Sequence, residues 1–238
     1  SRCSPSAESL AVCLKSSYED LLELVHGLRV NFDQWPGPRY NIAPTQPVPT
    51  VLNDGERALT FSRWGLIPFW AKEAGIGSRM INARVETVHE KPAFRSAFRR
   101  QRCLVFADGF YEWTPVPGQR RKQPMYIRLK GGAPFAFAGL WDRWRDPAAG
   151  EDAAPIITCT IITGEPNALV AQYHNRMAVI LSPEHYETWL EPGELPPGAL
   201  LPLLKPYPAG LMEAYPVSTR VNSPEFDDPS LILPLAAA

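Results

Sequence analysis

The segment Cys103-Leu-Val-Phe-Ala-Asp-Gly-Phe-Tyr-Glu-Trp113 carries two short apolar runs on either side of Asp108-Gly109. Asp and Gly favour turns, whereas short runs of aliphatic and aromatic residues favour strands. The segment therefore predicts two short strands separated by a turn, with Glu112 placed among the aromatic residues of the second strand.

Further strands are expected on both sides of this segment. Residues 48–51 and 58–61 flank Asn53-Asp-Gly55, a turn signal, and predict a hairpin. Residues 156–162 form a continuous β-branched run, which is typical of a buried central strand.

A second strand pair is predicted nearer the middle of the chain. Residues 124–129 and 135–140 have the composition of strands, and we expect them to pair through Gly131-Gly132. Residues 179–181 predict one more short strand.

Helices are predicted to be few and short, because 26 prolines are spread along the chain. The clearest begins after Ser17, since Ser17 and Asp20 match a capping box and apolar residues follow. Residues 166–173 and 183–190 predict two more short helices. Many short strands with few helices predict an α+β fold, mainly an antiparallel curved β-sheet or barrel-like core with a few short helices.

Length and composition indicate an ordinary globular chain. The 238 residues are 45% apolar and 21% charged, a balance that excludes disordered, coiled-coil and collagen-like classes. We expect a single domain over residues 1–238. The 24 basic and 25 acidic residues nearly cancel, which excludes nucleic-acid binding through bulk charge but leaves a local basic patch open.

The cysteine spacing indicates no metal site. Cys3, Cys13, Cys103 and Cys159 are far apart and form no CxxC pair, and the histidines are equally scattered. We therefore expect no metal, no cofactor, and a reducing, cytoplasmic setting. No apolar run is long enough to span a membrane, so we expect neither a membrane partner nor a secretory leader.

A local basic segment lies between Arg63 and Cys103, where nine basic residues stand against three acids. Aromatic residues, among them Phe69 and Trp70, are interleaved with the basic ones. Such a segment can follow the phosphates and stack the bases of single-stranded nucleic acid. It can also be a solvated charged face above core aromatics, and the pattern alone favours this second interpretation.

Three short segments carry polar residues that packing alone does not require. Asn82 and Arg84 share one face of an extended chain, because side chains alternate along a strand. Burial among aromatics would raise the pKa of Glu112 and suit it to proton transfer. His174 can change its charge near neutral pH. Each has a structural alternative, a paired acid or a core histidine, but the three could also converge in one cleft.

Taken together and in order, these segments resemble the SOS-response-associated peptidase family, whose best-known members shield abasic sites in single-stranded DNA by covalent attachment. The matching stretches are Arg39-Tyr-Asn-Ile-Ala-Pro-Thr-Gln46, Trp64-Gly-Leu-Ile-Pro-Phe-Trp-Ala-Lys72, Ile81-Asn-Ala-Arg-Val-Glu-Thr-Val88, Lys91-Pro-Ala-Phe94, Cys103 through Trp113, His174-Asn-Arg-Met177, Val217-Ser-Thr-Arg-Val-Asn222 and Asp228-Pro-Ser-Leu-Ile232. Each stretch is short, but this many in the correct order are highly specific.

The resemblance implies a particular reaction. Family members use an N-terminal Cys, exposed by removal of the initiator Met. Its amine forms a Schiff base with the aldehyde of the opened abasic sugar, and its thiol then closes a thiazolidine ring. Asn82 matches the residue that orients the terminus, Glu112 the proton-transfer group beside the amine, and His174 the group that helps to open the sugar. The chain would then be a self-modifying crosslinker with peptidase-like or lyase-like chemistry.

The resemblance also implies a DNA-binding surface. The matched positions are Arg2, Phe69, Trp70, Arg84, Trp113, Thr163 and Arg176. The arginines would lie near phosphates, the aromatic residues would stack bases or wedge the strand, and the threonine would line the same cleft. The implied partner is single-stranded DNA with abasic sites, bound by a monomer that has no obligatory protein partner.

The N-terminus departs from the family start Met-Cys-Gly-Arg, because this sequence begins Ser1-Arg-Cys-Ser-Pro5. With Arg2 set on the family Arg, the nucleophilic Cys belongs directly before Ser1. Cys3 cannot replace it, because Cys3 has no α-amine of its own. Two explanations are open: that Cys exists but is absent from this sequence, or the chain is a family member without its nucleophile. The presence of Asn82, Glu112 and His174 favours the first.

Two other functions stay open. One is a binding module that holds single-stranded DNA without covalent chemistry, and the other is a peptidase that acts on its own terminus without a DNA role. A groove that follows phosphates would lose affinity as salt rises, which separates DNA binding from self-cleavage. Crosslinks that survive denaturation would separate covalent attachment from simple binding.

Overall fold

Two β-sheets form the framework of the structure, a computed structural model that describes residues 10–150 and 152–236. The strands of these residues are β1 (Ala11–Leu14), β2 (Arg29–Val30), β3 (Arg39–Ile42), β4 (Pro47–Leu52), β5 (Ala58–Trp64), β6 (Asn82–Arg84), β7 (Arg102–Ala107), β8 (Gly109–Thr114), β9 (Gln123–Leu129), β10 (Phe135–Trp144), β11 (Ile156–Gly164), β12 (Met177–Ala178), β13 (Ile180–Leu181) and β14 (Met212–Pro216). Many short strands, together with the few short helices described below, confirm the predicted α+β fold.

The helices of the described residues are all short: α1 (Tyr18–Leu24), α2 (Arg95–Arg100), α3 (Tyr186–Trp189) and α4 (Pro197–Leu200). Single 3₁₀ turns supplement them. No helix in the described part of the chain combines the length and the apolar character needed to cross a membrane.

The first sheet has five strands in the order β14-β9-β8-β1-β3, and each neighbouring pair is antiparallel. β8 lies at its centre, where Glu112 stands opposite Met125 of β9 and Tyr111 stands opposite Ala11 of β1. Hydrogen-bonded neighbours on both sides therefore fix the backbone of the strand that carries Glu112.

The second sheet closes on itself. β11, β10, β7, β4 and β5 follow one another as hydrogen-bonded neighbours, and β5 returns to pair with β11. The described strand pairs are antiparallel except for β5–β11, β6–β11 and β2–β5, which are parallel. The closed ring confirms the predicted barrel-like core, because closure removes the open edges of a sheet.

Local predictions near the N-terminus and in the first hairpin are confirmed. The Ser17 hydroxyl accepts the Asp20 N–H at 3.3 Å, and the Asp20 carboxylate accepts the Ser17 N–H at 3.1 Å, so α1 begins with the predicted capping box. β4 and β5 form the predicted hairpin. β11 is a central strand with neighbours on both sides, as its β-branched run predicts.

The pairing predicted for residues 124–129 with residues 135–140 is wrong. Both segments are strands, but β9 pairs with β8 and β14, whereas β10 pairs with β7, β11 and β13. Gly131 and Gly132 adopt φ values of +85° and +75°, and these left-handed conformations turn the chain from one sheet towards the other. The helix predicted at residues 166–173 is only a 3₁₀ turn, Val170–Gln172.

A second crossing between the sheets occurs at Asp108, between β7 and β8. The fully buried Asp108 carboxylate accepts the N–H groups of Lys15 and Ser16 at 2.7 and 2.8 Å and the Ser16 hydroxyl at 2.6 Å. The Asp108 N–H donates to the Cys13 carbonyl at 2.8 Å. Asp108 thus ties the end of β1 to the start of β8 and helps to fix the position of Glu112.

Apolar side chains of both sheets share one large core. It includes Val12 and Phe110 from the first sheet and Ile161 from the barrel. Tyr111 and Trp113 point to the other face of the first sheet, where a smaller apolar cluster forms. Alternation along β8 therefore separates Glu112 from its two aromatic neighbours in sequence.

Candidate active site

A cavity of about 160 Å³ is lined by residues from both sheets. Asn82, Glu112, Thr163, His174 and Arg176 are among its lining residues. The structure thus brings together the three residues predicted as catalytic and two of those predicted to contact DNA. Their roles stay predictions, but their convergence is a property of the fold.

Asn82 and Arg84 project from the same face of β6, as predicted. β6 lies parallel to β11, with Asn82 opposite Ile161 and Arg84 opposite Thr163. Ala83 between them is fully buried, whereas Asn82 and Arg84 are exposed. The strand therefore turns both polar side chains away from the core and places Asn82 at the cavity.

Glu112 is a half-buried carboxyl in the central strand of the first sheet. Burial raises the pKa of Glu112 from 4.5 to about 8, because the charged form loses hydration. The neutral acid is therefore the main form at neutral pH, so Glu112 can donate a proton and later take one back.

His174 enters the cavity from the segment that follows the 3₁₀ turn Val170–Gln172. Its backbone N–H donates to the Val170 carbonyl at 2.9 Å. On the imidazole, Nδ1 lies 3.0 Å from both the backbone N and the backbone O of Arg176. The backbone thus engages Nδ1 and orients the ring, so Nε2 is the nitrogen left to meet a ligand.

Arg84, Glu86 and Arg176 form what we call the rim of the cavity. Arg176 holds the Glu86 carboxylate with two nitrogens, at 2.6 and 3.0 Å, and also donates to the Thr163 carbonyl at 2.9 Å. Arg84 lies 4.0 Å from the same carboxylate. The Arg176 guanidinium keeps the pKa of Glu86 below its usual value, so the carboxylate is ionised at neutral pH.

The predicted aromatic contacts divide into two groups. Phe69 and Trp70 are 67% and 53% exposed, although neither lines the cavity. Trp113 is instead buried in the smaller cluster, and its indole N–H donates to the Asn222 side-chain oxygen at 2.7 Å. Stacking of bases on Phe69 and Trp70 stays a prediction, whereas the buried Trp113 fits a packing role.

The basic segment between Arg63 and Cys103 is not one continuous surface. Arg102 is fully buried, and its guanidinium donates to main-chain carbonyls that include those of Trp189 and Glu191. Arg99 and Arg100 pair with Glu194. Several of the charges that suggest a nucleic-acid surface are thus used in packing and in ion pairs, while Arg84 remains at the cavity rim.

The chain reaches the cavity at Leu10, which is one of its lining residues. The family resemblance places two further positions at the site, Arg2 and the position directly before Ser1. Both lie outside the described residues. Along the chain, the residue next to this lining position is Ser9, eight positions after Ser1.

Sequence reasoning missed one charged residue of this site, Glu86. It appears in the sequence only as one of three acids in a basic segment. Strand alternation gives no signal for it, because β6 ends at Arg84 and Glu86 lies in the turn that follows. The described residues contain no group of His, Cys, Asp and Glu side chains that could hold a metal ion.

The family model of the SOS response associated peptidase (SRAP) matches residues 11–224. The chain belongs to the SRAP family. A similar SRAP protein is the abasic site processing protein YoqW of Bacillus subtilis strain 168, 46% identical over 225 residues that cover 92% of this chain and 96% of that protein. The abasic site processing protein HMCES of Gallus gallus is 33% identical, covering 83% of this chain and 66% of its own length.

A solved structure has a similar fold. The crystal structure of a protein from Bacteroides thetaiotaomicron matches with a TM-score of 0.73 at 32% identity, covering 82% of this chain and 85% of that one. The resemblance drawn from the motifs is thus confirmed over most of the chain.

Proposed function

We propose that this SRAP chain processes abasic sites in single-stranded DNA by holding the opened deoxyribose in the cavity and attaching it covalently. The shared cavity of Asn82, Glu112 and His174 carries the proposal, because it combines an amide, an acid protonated near neutral pH and an imidazole. These groups suit the proton transfers of Schiff-base chemistry. The names of two relatives, both abasic site processing proteins, support the substrate class.

The proposed reaction begins with an N-terminal amine. Its nitrogen attacks the aldehyde carbon of the sugar. The aldehyde oxygen takes one proton from that nitrogen and one from Glu112 and leaves as water, so that an iminium ion with one N–H remains beside the Glu112 carboxylate. A thiol on the adjacent carbon then adds to the iminium carbon, and its proton passes to the Glu112 carboxylate. No oxidant is needed, and Glu112 serves first as acid and then as base.

The other cavity residues have distinct parts in this proposal. Asn82 would bind the terminal amine and aim it at the aldehyde, since an amide can both donate and accept hydrogen bonds. His174 would use Nε2 to protonate the ring oxygen as the sugar opens. Phe69 and Trp70 would stack bases outside the cavity, which requires a single strand with open base faces.

The position of Leu10 suggests where the amine has to be. A Cys directly before Ser1 is separated from Leu10 by nine residues, whereas a Cys directly before Leu10 adjoins the cavity wall. Reacting groups must be held close to their final geometry, since misplacement by about 1 Å can cost around a hundredfold in rate. We therefore propose that an amine directly before Leu10 is productive, and we compare it with an amine directly before Ser1.

Two N-terminal versions of the protein test this proposal. One has Cys directly before Ser1, and the other begins with Cys directly before Leu10 in place of residues 1–9. Both are incubated, with the amine free, with an abasic single-stranded oligonucleotide and run on a denaturing gel. We expect the version with Cys at position 9 to crosslink much faster.

Each version has a matched control in which the added Cys is Ser, which keeps the amine but removes the ring-closing thiol. The Ser controls should bind the oligonucleotide and leave little stable adduct. Binding without crosslinking by every Cys version would instead favour a non-covalent binding module. Release of N-terminal residues without any affinity for DNA would favour a self-processing peptidase.

A further inference from the structure

Glu86 occupies a position at the rim that suits an external anion. Its two carboxylate oxygens face two guanidinium nitrogens of Arg176 at 2.6 and 3.0 Å, and Arg84 approaches the same carboxylate at 4.0 Å. A planar guanidinium binds carboxylate and phosphate in the same two-pronged way. The carboxylate of Glu86 thus fills a site with the chemistry of a phosphate site.

Arg176 does not depend on Glu86 for its position. Its Nη2 also donates to the Thr163 carbonyl at 2.9 Å and lies 3.3 Å from the Thr163 hydroxyl. The Arg176 side chain is only 20% exposed, whereas that of Glu86 is 45% exposed. The carboxylate can therefore swing into solvent while the guanidinium stays in place.

We propose that Glu86 is an internal substitute for a DNA phosphate, which occupies Arg84 and Arg176 in the free protein and is displaced when single-stranded DNA binds. The inference rests on the proposed function, because it takes the rim arginines as phosphate contacts. It adds a role for a residue that opposes binding rather than supporting it.

Such competition affects intact and damaged strands differently. Displacing Glu86 weakens the reversible binding of every strand by the same factor. An abasic strand is then retained by the bond formed in the cavity, but an intact strand has no such bond and dissociates. Glu86 therefore shortens the time that the protein spends on intact DNA, whereas an adduct that has already formed is retained.

The test compares Glu86→Gln with Glu165→Gln in the full chain. Glu165 is exposed and lines a neighbouring cavity of about 210 Å³ together with Glu86, and among the described residues it makes no ion pair. The two substitutions change net charge equally, so their difference isolates the contact with Arg176. Affinity for an intact single-stranded oligonucleotide is measured by fluorescence anisotropy over a series of salt concentrations.

Glu86→Gln should bind the intact oligonucleotide about fivefold more tightly than Glu165→Gln at low salt, the upper range of a single surface ion pair. The slope of log K against log salt should stay similar, because the proposal places the same phosphates on Arg84 and Arg176 in both complexes. If thermal unfolding shows that the amide destabilises the protein, Glu86→Ala replaces it, with Glu165→Ala as its control.

Equal or weaker binding by the Glu86 variants would overturn the inference, since it would mean that the carboxylate supports the arginines during binding. Absence of DNA binding by the wild type and by all variants at low salt would instead overturn the proposed function. The two failures are distinguishable, because only the second abolishes binding by the Glu165 controls.

Discussion

The cavity and its rim each hold one carboxyl group, and the two groups are in opposite states. Glu112 lies half-buried in a central strand, where loss of hydration raises its pKa to about 8. Glu86 lies at the rim against Arg176, which lowers its pKa. At neutral pH the first is mainly a neutral acid and the second is an anion.

This difference shows that position rather than residue type decides what a carboxyl group can do here. Burial keeps the proton of Glu112 available for transfer. Pairing with Arg176 makes Glu86 a fixed charge that competes with other anions. The proposed chemistry and the proposed control of binding thus depend on two environments within one site.

The largest expected effect is on chemistry in the cavity. Glu112→Gln, in the version with Cys directly before Leu10, should slow adduct formation by about 10²–10⁴-fold, because the amide cannot transfer the proton. Affinity for the intact strand should stay unchanged, since Glu112 is not at the rim. Time courses on denaturing gels give the rate, and an unaltered rate would remove Glu112 from the mechanism.

The second effect is on stability and its pH dependence. The unfolded chain releases the Glu112 proton near pH 4.5, whereas the folded chain keeps it to about pH 8. The wild type therefore loses stability between these values, and Glu112→Gln does not. The free energy of unfolding of Glu112→Gln, taken relative to that of the wild type, should therefore rise by roughly 2–4 kcal/mol between pH 4 and pH 9.

Urea unfolding of both proteins at pH 4, 7 and 9 measures this shift. Glu86→Gln serves as a comparison, because the pKa of Glu86 is lowered rather than raised. The wild type should lose stability relative to Glu86→Gln as the pH falls, and only at acidic pH. A wild type whose stability relative to Glu112→Gln is constant over this range would show that the carboxyl is hydrated in the folded protein.

The smallest expected effect separates the two rim arginines. Arg176→Ala should weaken binding of intact single-stranded DNA about tenfold, because it removes a pre-oriented guanidinium and leaves the Glu86 charge uncompensated. Arg84→Ala should weaken it only about threefold, since this side chain is 65% exposed and less constrained. Anisotropy titrations at one salt concentration test this order, and equal losses would contradict it.

Local sequence signals predicted the parts of the fold that depend on neighbouring residues. The Ser17 cap, the β4–β5 hairpin and the shared face of Asn82 and Arg84 each follow from a spacing of a few residues. The partners of β9 and the parallel closure of β5 on β11 depend on residues far away in the chain. No local pattern encodes those pairings, and β14 was not predicted at all.

The candidate site followed the same division. The motif order predicted that Asn82, Glu112 and His174 would converge, and the three residues line one cavity. Trp113 is covered by tertiary packing, and Glu86 is paired with an arginine 90 positions away. A motif names residue types, but it does not say which aromatic ring is covered or which charge is already paired.

The hydrogen bonds that Asp108 accepts from Lys15 and Ser16 also limit when β1 and β8 can join during synthesis of the chain. β1 leaves the ribosome before β8, because the carboxylate that holds Lys15 is 93 positions later. At about 5–20 residues per second, that interval lasts roughly 5–20 s. Thr163, His174 and Arg176 emerge later still, so the growing chain has no complete cavity until these residues have been made.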